Sequence, residues 1–492
     1  VNKSYYTHIP LGDSIPLNNP HAFSVSMPTI QDVIDYEEGT QVSKEKIKTA
    51  YPRILIHPYI KKVCSLLEDK LSLCNGFSLL LPSKEAAIEV SEISGVVPSY
   101  YNYKKYTLCF FNNSLDVERY FSFMKHCGYM IYSREAEDLL IDLGEDCTLF
   151  FEQSSKNGSE STIKEVLKEG YDSREIVLSS SGMNSIYTGF KQVKEFFKES
   201  SRGLFIVYGW AYADTLAIFK KCCDEYVIIP DVTNTEELEF LLEKRGDEVV
   251  GLYLESVSNP LISVPDIPKV YELSEKYNFL VMVDNTFATP WSVDISSYCD
   301  IIFESLTKFA SGYGDVMAGA TIIPKKSRVS PKVIRDIKNK SIPLYLRDLN
   351  RLSLNIKGYK KRVLKVLHNS KIVEDKLLNS PKIKSVYSVN SEKNKTNWDK
   401  ISRGIGGCGV ISFIYNKDFE NQYNMANIPK GPSLGCEFPI LMPYTLLAHY
   451  TECQSSSGLK YLSSLGLDRT LLRLSVGTDS PSLTLNQILK LK

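Results

Sequence analysis

Lys308 stands in Glu304-Ser305-Leu306-Thr307-Lys308-Phe309-Ala310-Ser311-Gly312, flanked by hydroxyls and directly behind an apolar run. A lysine placed so suits imine chemistry better than a salt bridge, because its amine becomes a nucleophile once it is withdrawn from water. Asp284 closes the preceding apolar run Phe279-Leu280-Val281-Met282-Val283. An acid therefore ends one buried strand, and the lysine follows the next, Asp300-Ile301-Ile302-Phe303. The pairing points to pyridoxal 5'-phosphate (PLP), whose aldehyde a lysine binds and whose pyridine nitrogen a carboxylate keeps protonated.

Ligands of open α/β sheets bind outside the carboxyl ends of the strands, and two further groups are expected there. Tyr208 follows Leu204-Phe205-Ile206-Val207 and is a candidate for stacking on a planar cofactor. Glu255 follows Val249 to Leu254 and reads as a rim carboxylate without an assigned role. A phosphate needs donors. The turn Ser181-Gly182-Met183 supplies backbone N–H groups at the start of a helix whose Ile186, Phe190, Val193 and Phe197 share one face. Ser305 and Thr307 add hydroxyls beside the lysine, and Tyr51 and Arg53 offer a phenol and a guanidinium on a stretch shaped by Pro52. Arg473 interrupts the strand pattern Leu471-Leu472-Arg473-Leu474-Ser475-Val476 and needs a partner if buried. A structural carboxylate and a substrate carboxylate would serve it equally well.

Several other chemistries lose their support. Gly404-Ile405-Gly406-Gly407-Cys408-Gly409 has the letters of a dinucleotide loop but runs into the strand Val410 to Tyr415 instead of a helix. The histidines His8, His21, His57, His126, His368 and His449 form no closely spaced ligand pair, and no CxxC occurs, so no metal site is expected. A GxSxG nucleophile elbow is absent as well.

The elements that must position these residues divide the chain of 492 residues, whose length alone sets a soft prior of about three domains. Residues 1–60, rich in proline and aromatics, read as an extended N-terminal arm. From 61 to 345, short apolar runs alternate with amphipathic stretches, as in helices packed on a mainly parallel sheet. Residues 346–492 restart with a helix through Val363, Leu367, Val373 and Leu377, followed by the strand candidates Ile383 to Val389, Val410 to Tyr415 and Leu471 to Val476. They read as a smaller α/β domain.

The 58 basic and 58 acidic residues cancel, so nothing global favours nucleic acid or an anionic membrane, and the expected partners are small molecules. Eleven scattered cysteines without a secretory signal fit a reducing cytoplasm. No apolar run nears the roughly 18 residues of a membrane span. The sequence opens at Val1, which leaves a targeting segment ahead of it open.

Taken together, Val283-Asp284-Asn285-Thr286-Phe287, Ser305-Leu306-Thr307-Lys308, Ser181-Gly182-Met183, Gly406 to Phe413 and Leu472 to Gly477 resemble the Cys/Met-metabolism family of PLP enzymes. Within it, Pro20 to Thr29, Tyr36-Glu37-Glu38-Gly39, Tyr51-Pro52-Arg53, Pro432-Ser433-Leu434-Gly435 and Pro443 to His449 look like the fungal cystathionine γ-synthase branch. The resemblance implies a fold-type-I, aspartate aminotransferase-like α/β enzyme with Lys308 carrying PLP, Asp284 on the pyridine nitrogen and Tyr208 on the ring. It also implies that Gly182, Met183, Ser305 and Thr307 bind phosphate, with Tyr51 and Arg53 reaching it from a neighbouring subunit. Arg473, Ser433 and Asn259 would face the substrate. The implied activity joins an O-acyl-L-homoserine, an acetyl ester by the fungal likeness, to L-cysteine in a cytoplasmic homotetramer built as a dimer of dimers. O-acetylhomoserine sulfhydrylase, cystathionine β- or γ-lyase, or a catalytically silent scaffold are the alternatives. The chain departs from the family pattern at His57, one residue late and in place of asparagine, at Val257 in place of proline, and at Asp479-Ser480.

Overall fold

In the computed structural model, which describes residues 3–48, 55–146 and 148–490, the strands fall into four sheets. β1 (Ser14–Ile15) and β2 (Ser24–Val25) make a short antiparallel ribbon. β3 (Phe77–Leu81), β4 (Ser99–Tyr103) and β5 (Tyr106–Phe111) form an antiparallel sheet in the order β3-β5-β4.

The sheet that carries the chemistry contains β6 (Ser173–Ser179), β7 (Leu204–Tyr208), β8 (Glu225–Ile229), β9 (Val249–Glu255), β10 (Leu280–Asp284), β11 (Ile301–Glu304) and β12 (Gly319–Pro324). Its order is β6-β12-β11-β10-β9-β7-β8, antiparallel only where β12 meets β11 and β6. A parallel sheet is covered on both faces, so its strands are apolar throughout. β9 is buried along its whole length. β7 shows how the two faces divide: Leu204, Ile206 and Tyr208 join one apolar cluster, while Phe205 and Val207 join the other. The first part of the 61–345 stretch stands apart from this arrangement, since β3 to β5 form their own sheet.

β13 (Ile383–Tyr387), β14 (Val410–Tyr415), β15 (Ile440–Pro443) and β16 (Leu472–Ser475) form the fourth sheet, antiparallel in the order β13-β14-β16-β15. We propose 61–345 and 346–492 as the large and small units, because every strand of the seven-stranded sheet precedes that division and every strand of the four-stranded sheet follows it.

The N-terminal segment differs from an extended arm. It contains the helices Ile30–Glu37 and Gln41–Lys46, the first opened by a capping box between Thr29 and Asp32. It is fastened to the small unit: Met27 N–H donates to Lys430 O at 2.8 Å, Tyr423 Oη to Met27 O at 2.9 Å, and Ile30 N–H to Asn424 Oδ1 at 2.9 Å. Helices this short, set between prolines, leave no apolar period to read in a sequence.

Candidate active site

β9 and β10 run in register, so Glu255 stands opposite Asp284 at their carboxyl ends, and Asp284 stands opposite Phe303 of β11. The chain leaving β11 carries Ser305, Thr307 and Lys308. A cavity of about 200 Å³ opens over these strand ends. Its wall includes Gly182, Met183, Asn259, Asp284, Ser305, Thr307, Lys308, Ser433 and Arg473, so one space gathers these residues from both units.

Lys308 Nζ donates to Ser433 Oγ at 3.0 Å and lies 5.3 Å from the centre of the Phe23 ring. Ser433 holds φ at 84°, a left-handed conformation that is costly for a residue with a side chain. The loop bearing it presses on the lysine. A Cβ at Gly435, where φ is 81°, would come within 2.6 Å of Phe309 N and 2.8 Å of Lys308 C.

Asp284 Oδ1 accepts the Thr286 N–H at 2.9 Å, and the Tyr253 hydroxyl donates to Oδ2 at 3.4 Å. Burial pushes its pKa up. Glu255 is raised further, by its own burial and then by the charge of Asp284. Behind the pair, the Asn285 amide donates to Tyr171 Oη at 3.0 Å, and Tyr171 and Tyr359 donate to Glu304 at 2.5 and 2.6 Å.

One end of the cavity is the start of helix Gly182–Phe197. Ser181 caps it by accepting the Asn184 N–H at 3.1 Å, leaving the first N–H groups directed out of the helix. A Cβ at Gly182 would sit 2.8 Å from Ser305 Cβ, so glycine is needed for this close approach. Thr307 Oγ1 donates to Ala318 O and accepts its N–H, both at 3.1 Å, which pins the loop to the residue just ahead of β12.

Arg473 projects from β16 and lines the same cavity. Its Nη1 donates to Asn259 Oδ1 at 3.0 Å and its Nη2 to Ser433 O at 2.8 Å, and the guanidinium lies 5.5 Å from the centre of the Tyr444 ring.

Tyr208 is not at this cavity. It is buried in the core, and its hydroxyl donates to Asn234 O at 2.7 Å. As the third member of the Leu204, Ile206, Tyr208 row it follows the period of two into the apolar layer. The chain turns at Gly209, where φ is 95°, and the tyrosine that reaches the cavity is Tyr212. Gly209 is the mark in the sequence that separates strand from loop. Phe23, Lys125, Tyr212 and Met442 line the cavity without having been singled out, and Glu255 lines it without a role having been assigned. Tyr51 and Arg53 lie outside the described residues. Among the described residues no group of three or more His, Cys, Asp or Glu is arranged to hold a metal ion, and no helix is long and apolar enough to cross a membrane.

Residues 135–482 match the family model of the Cys/Met metabolism PLP-dependent enzymes. The chain belongs to this family. It is 27% identical over 475 residues to the L-2-amino-4-chloropent-4-enoate dechlorinase/desaturase of Streptantibioticus cattleyicolor, across 94% of both chains. To the cystathionine γ-synthase of Saccharomyces cerevisiae it is 24% identical, across 97% of both. The solved cystathionine γ-synthase of Xanthomonas oryzae pv. oryzae, in complex with cystathionine, superposes with a TM-score of 0.57 at 19% identity over 68% of this chain and 85% of that one. The fold is therefore the fold-type-I α/β fold of PLP enzymes, and the protein is a PLP-dependent enzyme.

The cavity fits that cofactor chemically. Asp284 is a half-buried acid whose ionised form favours a cationic neighbour, which a protonated pyridine supplies. The helix start with Ser305 suits a phosphate, and Lys308 and Arg473 line the same cavity.

Proposed function

We propose that the protein is a cystathionine γ-synthase-like transferase that joins an O-acyl-L-homoserine, the acetyl ester, to L-cysteine. One observation carries this reading: Ser433 touches Lys308 through its hydroxyl and Arg473 through its carbonyl. An α-amino acid whose carboxylate lies on Arg473 is thereby brought with its amine and Cα toward Lys308. The likeness to cystathionine γ-synthases along nearly the whole chain supports the choice of reaction.

Lys308 would carry PLP, Asp284 would hold its pyridine nitrogen, and Tyr212 is our choice for the ring wall in place of Tyr208. Gly182, Met183, Ser305 and Thr307 would bind its phosphate. When bound, PLP withdraws electron density from Cα through its protonated ring. Lys308 Nζ is the group placed to take the proton from Cα and return one elsewhere on the substrate, with Ser433 Oγ orienting it. Arg473, steadied by Asn259 and Ser433, fixes the carboxylate, and orientation decides which bond breaks. In the overall change the cysteine thiol gives up its proton, its sulfur bonds to Cγ, the Cγ–O bond breaks, and acetate departs with that proton as acetic acid.

A second reading comes from the Streptantibioticus relative. Its named substrate carries chlorine on carbon 4, the same γ position. Departure of a γ substituent without any thiol is the corresponding rival, together with sulfhydrylase and lyase activities. Purified protein given O-acetyl-, O-succinyl- or O-phosphohomoserine, with cysteine, with sulfide or alone, separates them by product. Cystathionine from the acetyl ester is the expected result, and products identical with and without thiol would refute it. Borohydride reduction should leave the cofactor on Lys308. Lys308→Ala should lose the visible cofactor absorbance and on the order of a thousandfold in turnover, whereas full activity in that variant would overturn the site. A silent scaffold predicts no cofactor absorbance in the wild type. The oligomer and its cytoplasmic location are part of the same proposal, and sedimentation should give a tetramer.

A further inference from the structure

Glu255 spends its two carboxyl oxygens on two different walls of the cavity. Oε1 accepts the Tyr212 N–H at 2.6 Å, at the point where the chain enters helix Ala213–Cys222. Oε2 accepts the Asn259 N–H at 3.3 Å. Asn259 in turn holds Arg473 through Oδ1 at 3.0 Å and donates through Nδ2 to Tyr444 Oη at 3.2 Å. The next residue ties the same corner to the strand of Asp284: Ser256 N–H donates to Asp284 O at 2.9 Å, and Ser256 Oγ to Asn285 Oδ1 at 2.7 Å. Glu255 itself is buried at the end of a strand that is buried throughout, so its carboxyl is held by the sheet and does not swing with solvent.

We infer that Glu255 is a positioning residue that sets the ring wall at Tyr212 and the carboxylate arm Asn259-Arg473 as one unit. This rests on reading the cavity as a PLP and amino-acid site. The chemistry of the contact is specific. Two N–H groups on separate segments each need an acceptor, and glutamate offers one oxygen to each. Glutamine has the same shape but presents an NH₂ to one of them, so one segment loses its anchor and two donors face each other. Aspartate is one methylene shorter and cannot span both segments.

The test uses the holoenzyme and four proteins: wild type, Glu255→Gln, Asn259→Ala and the double variant. Two readouts are needed, the visible circular dichroism of the bound cofactor and the inhibition constant of an unreactive α-amino acid, glycine. Glu255→Gln should alter the dichroism while thermal unfolding stays near wild type, and should raise the glycine constant about tenfold, which corresponds to about 1.4 kcal/mol. Asn259→Ala should raise the constant by itself. Adding Glu255→Gln to it should raise it little further, because the effect travels through Asn259. Fully additive losses, or a Glu255→Gln protein with wild-type dichroism and glycine affinity, would overturn the inference. If Glu255→Gln does not fold, Glu255→Asp carries the same two expectations. A wild-type protein without any cofactor signal defeats the functional reading itself, an outcome visible before any variant is compared.

Discussion

Two tyrosines four places apart have opposite fates, and the difference is measurable. Tyr208→Phe removes only the donor to Asn234 O. It should cost about 1 kcal/mol in urea unfolding and leave the cofactor spectrum unchanged. Tyr212→Ala removes a cavity wall and should weaken cofactor retention on dilution with little change in stability. Glu304 gives a residue-scale pH effect. Burial pushes its pKa from 4.5 up to about 7, against the pull of the Tyr171 and Tyr359 hydroxyls. Its folded value lies above its unfolded one, so the protonated form favours the folded state. That contribution is complete below about pH 4.5 and is lost as the pH rises to about 7. Glu304→Gln, which stays neutral, should remove a pH-dependent loss of about 3 kcal/mol across this window, measured by urea unfolding at its two ends.

The elements meet with little room where helix Gly182–Phe197 starts at the cavity. β12 begins at Gly319, where a Cβ would lie 2.2 Å from Ser181 O, a backbone atom that cannot rotate aside. Helix Gly182–Phe197 therefore sits at a height fixed by the absence of a side chain on its neighbour strand. Gly319→Ala should lift the helix start, costing about 1–3 kcal/mol and weakening PLP more than pyridoxal, since the displaced N–H groups would serve only the phosphate. Equal losses for the two ligands in an equilibrium titration would separate a general packing defect from a displaced phosphate cup. The same closeness recurs where Gly435 meets Lys308, so the segment around Gly435 presses on the loop that bears the lysine.

Across the whole molecule, buried charge ties the N-terminal segment to the rest. Arg134 donates to Glu152 and, at 2.7 Å, to both Asp348 and the carbonyl of Asp315, while Asn19 donates to the Asp315 carboxylate at 3.2 Å. Beside this cluster His21 is fully buried against Ser133. Burial, then the charge of Arg134, lower its pKa to about 2. His57 donates through Nε2 to Pro20 O and accepts the Tyr59 N–H through Nδ1, and burial lowers it to about 4. Both bases have folded values below their ordinary 6.5, so the unfolded chain takes up protons first and stability falls as the pH drops from about 6.5. At pH 4 each histidine should account for about 3 kcal/mol of the loss. Asp348, pushed up to about 6 by burial, and Glu304, pushed up to about 7, offset most of it. Relative to the wild type, His57→Gln should gain urea-unfolding stability between pH 7 and pH 4, because it removes the loss that His57 causes.

Lys308, Asp284, Gly182, Ser305 and Arg473 could be singled out in the sequence because each stands at the end of a local pattern: an apolar run that stops, a glycine before a helical period, a charge inside a strand. Such patterns follow from chain periodicity and burial, which neighbouring residues determine. The fold class was legible for the same reason, since alternating apolar runs and amphipathic stretches allow few ways to cover a sheet. Which tyrosine reaches the cavity was not legible, because the answer depends on how the chain turns at Gly209 after β7 has ended. Nor could local spacing show that Phe23 crosses to Lys308, that Ser433 joins the lysine to Arg473, or that Glu255 holds Tyr212 and Asn259 together. Local spacing pairs none of those residues, and their contacts form only once the chain has packed around one set of strand ends.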